Sequence, residues 1–246
     1  MHGDFPKGKP PLADNTLVAP QLVLHSRMIY TSWIPEDPDA CARLLPPALK
    51  PAGNHAVYMN QYVVDSAEQT TGFGAYSLTY LGVNVAEHLA PDGITPARFF
   101  THYFNSSPVM RAYVQERGVP ATPGSTTLEL DGGTLIATTS VDDTPILRTR
   151  ASVGDGVATV VAGHLRYITR VGNRLVSGLY PYIGELALPF TVQSIEFLEP
   201  GHPVWALRPR SPLEVVPESC FYAPRDSFVY PGGEGDMGPA GGPERP

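Results

Sequence analysis

Three side chains in this sequence are the candidates to move a proton or to hold an anion at a site: His102, Arg27 and Glu116. His102 lies between Phe100 and Phe104, which simple alternation along a strand places on the same face. An imidazole changes its protonation near neutral pH, so a histidine in a pocket would serve as a general acid or base. The other interpretation is a hydrogen-bonded core histidine, and the sequence leaves both open.

Arg27 lies in a predicted strand over residues 22–34, where alternation places it on one face with Ile29, Thr31 and Trp33. An arginine on an otherwise apolar face needs a partner or a ligand. It would either clamp a carboxylate or an enolate, or form an internal salt bridge. Glu116, at the end of a predicted helix, would either reach a pocket or be solvated on the last turn.

Other polar candidates lie on predicted strands that would line a binding site. In the strand over residues 55–64, Tyr58 and Asn60 share a face that is opposite to the face of Gln61. Tyr76 follows in the strand over residues 72–85. These four side chains would orient an oxygen-rich ligand, although tyrosines also pack with the hydroxyl satisfied at a rim.

The chain is otherwise a succession of short strand signals with one or two helices. Asp131-Gly132-Gly133 predicts a hairpin turn, and Ser107 and Pro108 predict the start of a short helix. This pattern indicates a mainly β (α+β) protein, either a barrel or a sandwich. We predict an N-terminal arm over residues 1–20, a single domain over residues 21–230 and a disordered tail over residues 231–246.

Composition argues against several classes of function. The 246 residues carry a net charge of −7 without a basic run, so we expect no nucleic-acid partner. No apolar run is long enough to span a membrane, and no signal-peptide core is seen, so we expect a cytoplasmic protein. The seven histidines lack metal-ligand spacing and no nucleotide-binding motif occurs, so we expect no metal and no cofactor.

Ser107 to Gly124, SPVMRAYVQERGVPATPG, resembles the signature segment of acetoacetate decarboxylase. In that family a helix runs into a Pro-Lys-Lys turn, whose first lysine forms a Schiff base with the substrate and whose second lysine lowers its pKa. Pro108 and Pro120 fall at the family's proline spacing. Arg27, the helix over residues 36–46 and the glycine-rich stretch over residues 72–76 are also similar to family features, so the resemblance covers residues 20–230.

The resemblance implies a closed, cone-like antiparallel barrel with a few short helices, a buried pocket and homo-oligomers. It also implies that Arg27 faces the pocket and receives an anionic substrate. The family's acidic residue on the glycine-rich strand falls at Leu78, and its two lysines fall at Ala121 and Thr122. Ala121 and Thr122 cannot form an imine.

No other lysine is expected to replace the missing one. The chain has three lysines; Lys7 and Lys9 lie in the polar arm and Lys50 lies on a predicted surface turn. A solvated lysine has a pKa near ~10.4 and carries little free amine at neutral pH. The sequence therefore predicts chemistry without a Schiff base.

These observations favour a small-molecule enzyme of natural-product metabolism. Its barrel pocket would serve cyclisation, dehydration, isomerisation or a related lyase step on a carbonyl-bearing substrate. Arg27 would hold an oxyanion and His102 would move a proton. A protein that only binds a small ligand, and a decarboxylase that works without lysine, are the alternatives.

Overall fold

The structure is a computed structural model that describes residues 17–156, 159–232 and 235–241. Within these residues the chain forms thirteen strands and two short α-helices, α1 (Pro38–Ala42) and α2 (Pro108–Gln115). Single-turn 3₁₀ segments occur at Ala67–Gln69, Pro203–Leu207 and Pro217–Ser219. The strands are β1 (Gln21–Trp33), β2 (Val57–Val64), β3 (Tyr76–Leu89), β4 (Pro96–Asn105), β5 (Ala121–Pro123), β6 (Ser125–Asp131), β7 (Thr134–Val141), β8 (Thr144–Val153), β9 (Thr159–Val171), β10 (Arg174–Leu186), β11 (Phe190–Phe197), β12 (Phe221–Tyr230) and β13 (Gly235–Pro239).

Seven strands close into a barrel in the order β12-β1-β2-β3-β4-β9-β10, and β10 pairs back to β12. Neighbouring strands of the barrel are antiparallel except β4 and β9, which run parallel. Two short strands extend the sheet, because β5 pairs with β4 and β13 pairs with β10. The prediction of a mainly β chain with a closed barrel and few helices is confirmed.

A second sheet, in the order β11-β8-β7-β6, packs on the outside of the barrel. Its β6–β7 hairpin turns at Gly132 and Gly133, which both have positive φ angles of 53° and 78°. Glycine reaches these angles without steric strain, so the hairpin predicted at this point is confirmed. Between the two sheets, the buried Gln61 side chain hydrogen-bonds the hydroxyls of Thr139 and Thr149, at 2.9 and 2.7 Å.

The barrel interior is dominated by aromatic side chains. Strand alternation sends Tyr58, Asn60 and Tyr62 of β2 inward and Gln61 outward. Aromatic rings bury a large area and prefer edge-to-face contacts, which are frequent here. The interior rings include Tyr30, Tyr58, Tyr62, Tyr76, Tyr80, Phe100, Tyr103, Tyr167 and Tyr230.

Helix α2 packs against this interior cluster. The Ser107 hydroxyl accepts a hydrogen bond from the Met110 amide at 3.2 Å, which confirms the predicted N-cap. Gly118 ends the turn at a φ of 75°, and a Cβ there would lie 2.2 Å from the Arg170 carbonyl oxygen. Only glycine fits at this position, and the chain then turns back so that Ala121 pairs with Tyr103.

The C-terminal segment differs from the prediction. Gly235–Pro239 forms β13 on the edge of β10, where Asp236 pairs with Arg174. Ala240 is fully buried. The prediction of a disordered tail over residues 231–246 is therefore wrong for this part, because backbone pairing and an ion pair hold a segment with few apolar side chains.

Residues 1–16 of the predicted N-terminal arm lie outside the described residues. Among the residues that are described, no helix has the length and apolar character that a membrane span requires.

Candidate functional site in the barrel

A cavity of about 160 Å³ lies inside the barrel. Its wall is mostly aromatic, with one arginine, one buried aspartate and one asparagine among the rings. One side of the cavity meets solvent, where the lining residues are the partly or fully exposed Thr95, Glu218 and Ser219. The side chains around it come from β1, β2, β3, β4, β9, β10 and β12, and the interior ones include Met28, Tyr30, Asn60, Tyr62, Tyr80, Arg98, Phe100, Tyr103, Tyr167, Tyr180, Tyr182, Asp226, Phe228 and Tyr230.

Arg98 on β4 is the charged group that stands out in this wall. It is 7% exposed, and its guanidinium carbon lies 4.6 Å from the ring centroid of Tyr30 and 5.6 Å from that of Tyr58. Its Nε and Nη1 atoms are buried without a hydrogen-bond partner, and it forms no ion pair with a carboxylate in the described part of the chain. Buried charges in proteins are normally paired, so this guanidinium has unused capacity to bind an anion.

The electrostatics keep Arg98 charged and its neighbours neutral. Burial acts to lower the pKa of Arg98, but the nearby tyrosines outweigh it and the net pKa lies above the ordinary value. Burial also raises the pKa of Tyr30 and Tyr58 well above the usual value of tyrosine. At neutral pH the cavity therefore holds a guanidinium charge that the surrounding phenols solvate but do not neutralise.

Hydrogen bonds hold part of the tyrosine wall in place. The hydroxyls of Tyr80 and Tyr167 lie 2.7 Å apart, and the Asn60 Nδ2 donates to the Tyr80 hydroxyl at 2.9 Å. The Asn60 Oδ1 is buried without a partner, and the Tyr30 hydroxyl lacks a hydrogen bond of ordinary geometry although it interacts with Tyr167. Buried polar atoms are nearly always satisfied in native proteins, so the Asn60 Oδ1 adds to the unused binding capacity of the cavity wall.

A second network of tyrosine hydroxyls joins three other residues of the cavity wall with Tyr76. The Tyr62 hydroxyl is 2.9 Å from the hydroxyls of both Tyr76 and Tyr230, and the Tyr103 hydroxyl is 3.2 Å from that of Tyr230. Mutually bonded hydroxyls fix the ring orientations, so this part of the wall is rigid.

Asp226 on β12 is the acidic group inside the barrel wall. It is 2% exposed, and burial raises its pKa to about 8. Its Oδ1 atom has no hydrogen-bond partner. The carboxyl is therefore mostly protonated at neutral pH.

The prediction that His102 points into the barrel is wrong. On β3 the neighbours Leu81 and Gly82 pair with His102 and Phe100 of β4, so Thr101 is an extra residue in a β-bulge. A bulge shifts the alternation, and Phe100 faces the cavity while His102 faces away from it.

Outside the cavity, His102 stacks on Phe104 with ring centroids 6.2 Å apart, and its Nδ1 lies 3.1 Å from the Thr101 hydroxyl. Burial, with a smaller contribution from His202, lowers its pKa to about 4. The alternative of a core histidine describes His102 better than a catalytic one.

Arg27 does not line the cavity either. Its Nη2 lies 2.7 Å from the Asp65 Oδ1, and its Nη1 donates to the Leu128 carbonyl oxygen at 3.1 Å. Arg27 shares its face with Ile29, as predicted, but on β1 the cavity is lined by Met28 and Tyr30, which alternate with it. The internal salt bridge is therefore the correct interpretation, and the expectation of a pocket-facing Arg27 is corrected.

The remaining predicted ligand contacts divide between the two sides of the wall. Asn60 lines the cavity and Tyr58 lies against Arg98, whereas Gln61 faces the second sheet. Tyr76 and Leu78 are buried in the interior cluster behind the lining side chains.

The loop after α2 contributes less than the resemblance implied. Ala121 is buried beside Tyr103, and the exposed Thr122 lies near the Tyr103 carbonyl oxygen. Neither residue is part of the cavity lining, which takes Val114 and Val119 from this segment. The Glu116 carboxylate lies 3.7 Å from Arg117 at the end of the helix, away from the lining.

No lysine lines the cavity in the described part of the chain. Lys50 is on the surface with its Nζ 3.4 Å from the Glu87 carboxylate, and Lys7 and Lys9 lie outside the described residues. The described ranges also contain no group of three or more His, Cys, Asp or Glu side chains arranged to hold a metal ion.

The sequence analysis missed Arg98 and Asp226, the arginine and the buried aspartate of the cavity wall. Arg98 alternates with Phe100 at the start of a predicted strand, which is the same signal that singled out Arg27. Asp226 stands in a run of strand-forming residues over 221–230, where a buried carboxyl is unusual. Both signals were present, but a single sequence does not say which face of a strand is the interior.

No protein-family model matches the sequence, and comparison with curated proteins finds no match. Solved structures do match. An acetoacetate decarboxylase is similar with a TM-score of 0.71 at 13% identity, over 91% of this chain and 91% of that chain. The acetoacetate decarboxylase of Legionella pneumophila gives a TM-score of 0.67 at 15% identity, over 95% and 94% of the two chains.

A third similar structure is the enduracididine biosynthesis enzyme MppR, in complex with the condensation product of pyruvate and imidazole 4-carboxaldehyde. Its TM-score is 0.58 at 14% identity, over 91% of this chain and 95% of that chain. Identities this low establish the fold alone, and the fold agrees with the resemblance seen in the signature segment. The chain therefore has the fold of the acetoacetate decarboxylase-like superfamily.

Proposed function

We propose that this protein is a small-molecule enzyme that binds a carbonyl-bearing anion at Arg98 and acts on it without a Schiff base. The observation that carries the proposal is the buried Arg98 guanidinium, which has two nitrogen atoms without a hydrogen-bond partner and is part of the wall of the mostly aromatic cavity. A carboxylate or an enolate oxygen bound there would accept a charge-assisted hydrogen bond from the guanidinium.

A guanidinium in a low-dielectric cavity is suited to stabilising a developing oxyanion. Breaking a bond next to a carbonyl group builds negative charge on the carbonyl oxygen, and a fixed positive charge lowers the energy of that state. The neutral tyrosine hydroxyl of Tyr30 would add a hydrogen bond at the same place. Dehydration, isomerisation, cyclisation and related lyase steps share this enolate-like intermediate.

The structural neighbours support an oxo-acid substrate and a role in natural-product metabolism. MppR has been seen with pyruvate and takes part in enduracididine biosynthesis. These are properties of MppR, and their transfer to this chain belongs to the proposal. Homo-oligomerisation, which the sequence resemblance implied, stays a prediction that size-exclusion chromatography with light scattering checks.

The two alternatives differ from this function in measurable ways. A ligand-binding protein would use the same aromatic wall but show no turnover. A lysine-independent decarboxylase is less favoured. Arg98 would bind the substrate carboxylate in the ground state, but the negative charge moves away from the carboxylate as carbon dioxide departs, so Arg98 would stabilise the substrate more than the transition state.

The proposal is tested with pyruvate, acetoacetate and neutral acetone as probes. Isothermal titration calorimetry on the wild-type protein should show binding of at least one of the two anions and much weaker binding of acetone. Borohydride treatment with acetoacetate, followed by intact-mass measurement, should leave the protein unmodified. Equal affinity for acetone, no binding of either anion, or a stoichiometric reduced adduct on a lysine would each overturn the proposal.

A further inference from the structure

We propose that Asp226 is the acid–base residue of the cavity, the group that takes a proton from the carbon next to the substrate carbonyl and later gives it back. The inference rests on the proposed function for the anion site at Arg98. It assigns to Asp226 the proton transfer that the sequence had suggested for His102.

The strand geometry places Asp226 on the cavity side. β12 pairs with β1 through Met28 and Ala223 and then through Ser26 and Asp226, so β12 has one extra residue in between. This bulge shifts the alternation of β12 and brings Asp226 to the same side as Phe221 and Phe228, which also line the cavity.

The neighbouring strand leaves space for the carboxyl group. Gly184 of β10 pairs with Asp226, and a Cβ at position 184 would lie 2.5 Å from the Asp226 Oδ2. Any side chain there would push the carboxyl out of its place. The absence of a side chain at Gly184 therefore lets the carboxyl remain in the wall, with its Oδ1 buried and free of a hydrogen bond.

None of the charged groups around Asp226 forms an ion pair with it in the described residues. On β10, Tyr182 is the nearby titratable group. Burial raises the pKa of Tyr182; Arg98 lowers it by a smaller amount, and Asp226 raises it. Glu218 lies at the rim, and Arg98 lines the cavity from β4. Arg225 is next along β12 but faces outward, where it pairs with Glu185 at 3.5 Å.

This setting suits a group that exchanges protons with a bound ligand. Arg98 from β4 and Asp226 from β12 both line the same cavity. Burial raises the pKa of Asp226 to about 8. A general base is most effective when its pKa lies near the working pH, because a useful fraction is ionised and the ionised form is strongly basic.

The catalytic cycle needs no reactant besides the substrate, and a dehydration illustrates this. The Asp226 carboxylate removes a proton from the carbon next to the carbonyl, and the electron pair of that C–H bond forms an enolate whose oxygen Arg98 stabilises. The enolate then re-forms the carbonyl and a C=C bond as the C–O bond to a β-hydroxyl breaks. The proton on Asp226 goes to the departing oxygen, which leaves as water, and Asp226 returns to the carboxylate.

The first half of this cycle can be measured with pyruvate as the probe, because its methyl protons exchange with deuterium oxide through the same enolate. Proton NMR at pH 6 to 9 should show exchange catalysed by the wild-type protein, with a rate that rises with pH and levels off above about pH 8. Asp226→Asn should slow exchange by about 10²–10⁴-fold while pyruvate affinity stays within a few-fold. Asp236→Asn, which alters an exposed, ion-paired aspartate, is the matched control and should exchange like the wild type.

A second variant guards against a purely structural effect. Asp226→Ala leaves room for a small carboxylic acid, so added formate should restore part of the exchange. Exchange at the wild-type rate in Asp226→Asn, or no exchange in a wild-type protein that does bind pyruvate, would overturn the assignment of Asp226 and leave the anion site standing. Failure of the wild-type protein to bind either pyruvate or acetoacetate would instead remove the anion site on which this inference rests.

Discussion

Gly184 and Asp226 face each other across the β10–β12 pair, and the Asp226 carboxyl occupies the space that a side chain at position 184 would need. A Cβ at position 184 would lie only 2.5 Å from the Asp226 Oδ2. A buried carboxyl without a hydrogen bond to its Oδ1 is unfavourable for stability. Its retention next to a glycine therefore suggests a purpose other than holding the fold together.

Filling that space is the first test. Gly184→Ala should displace the Asp226 carboxyl and reduce pyruvate exchange at least tenfold, while the affinity for pyruvate stays near that of the wild type because Arg98 is untouched. The exchange assay and calorimetry measure the two effects separately. Gly53→Ala, at a glycine whose Cβ would meet nothing within 4 Å, is the control and should leave exchange unchanged. A Gly184→Ala variant with full exchange would show that the position of the carboxyl does not matter.

Asp226 also predicts how stability depends on pH. Its pKa is about 8 in the folded protein against an ordinary value of 3.8, so the unfolded chain releases the proton first as pH rises. The contribution of this group to stability is therefore full below about pH 4 and is lost progressively between pH 4 and pH 8.

Asp226→Asn removes that dependence. The variant should be more stable than the wild type at pH 7, by up to about 4 kcal/mol at about 1.4 kcal/mol per pKa unit. Urea unfolding of both proteins at pH 5 and pH 7 measures the difference. A wild-type stability that does not fall across this range relative to the variant would mean that the carboxyl is already ionised in the folded protein and would contradict the raised pKa.

Arg27 gives a contrasting prediction. Its ion pair with Asp65 is about a third to a half exposed, and such pairs contribute about 0–1 kcal/mol to stability. Arg27→Met should therefore change the free energy of unfolding only slightly and leave pyruvate binding unchanged, since Arg27 is not in the cavity lining. A large loss of affinity in this variant would restore Arg27 to the site.

The sequence allowed the fold to be predicted better than the site. Turn residues such as Gly132 and Gly133, the helix cap at Ser107 and the strand alternation of β2 depend on local physics, and the structure agrees with them. The signature segment also indicated the correct fold although its lysine positions hold Ala121 and Thr122.

The site depended on two bulges that local patterns do not reveal. One extra residue at Thr101 turns His102 out of the barrel and keeps Phe100 in, and another between Ala223 and Asp226 turns Asp226 inward. Bulges are set by the pairing of distant strands rather than by local sequence. Simple alternation therefore placed His102 inside and overlooked Asp226.

The anion site at Arg98 is the central claim, and the affinity of an Arg98→Met variant for pyruvate tests it most directly. Calorimetry at pH 7 should show a loss of about 10- to 150-fold, the range of about 1.5–3 kcal/mol for a hydrogen bond to a charged group. Arg174→Met, at an exposed arginine paired with Asp236, is the matched control and should bind as the wild type does. Thermal unfolding should show Arg98→Met to be at least as stable as the wild type, because an unpaired buried charge is removed. Wild-type affinity for pyruvate in a folded Arg98→Met protein would contradict the account.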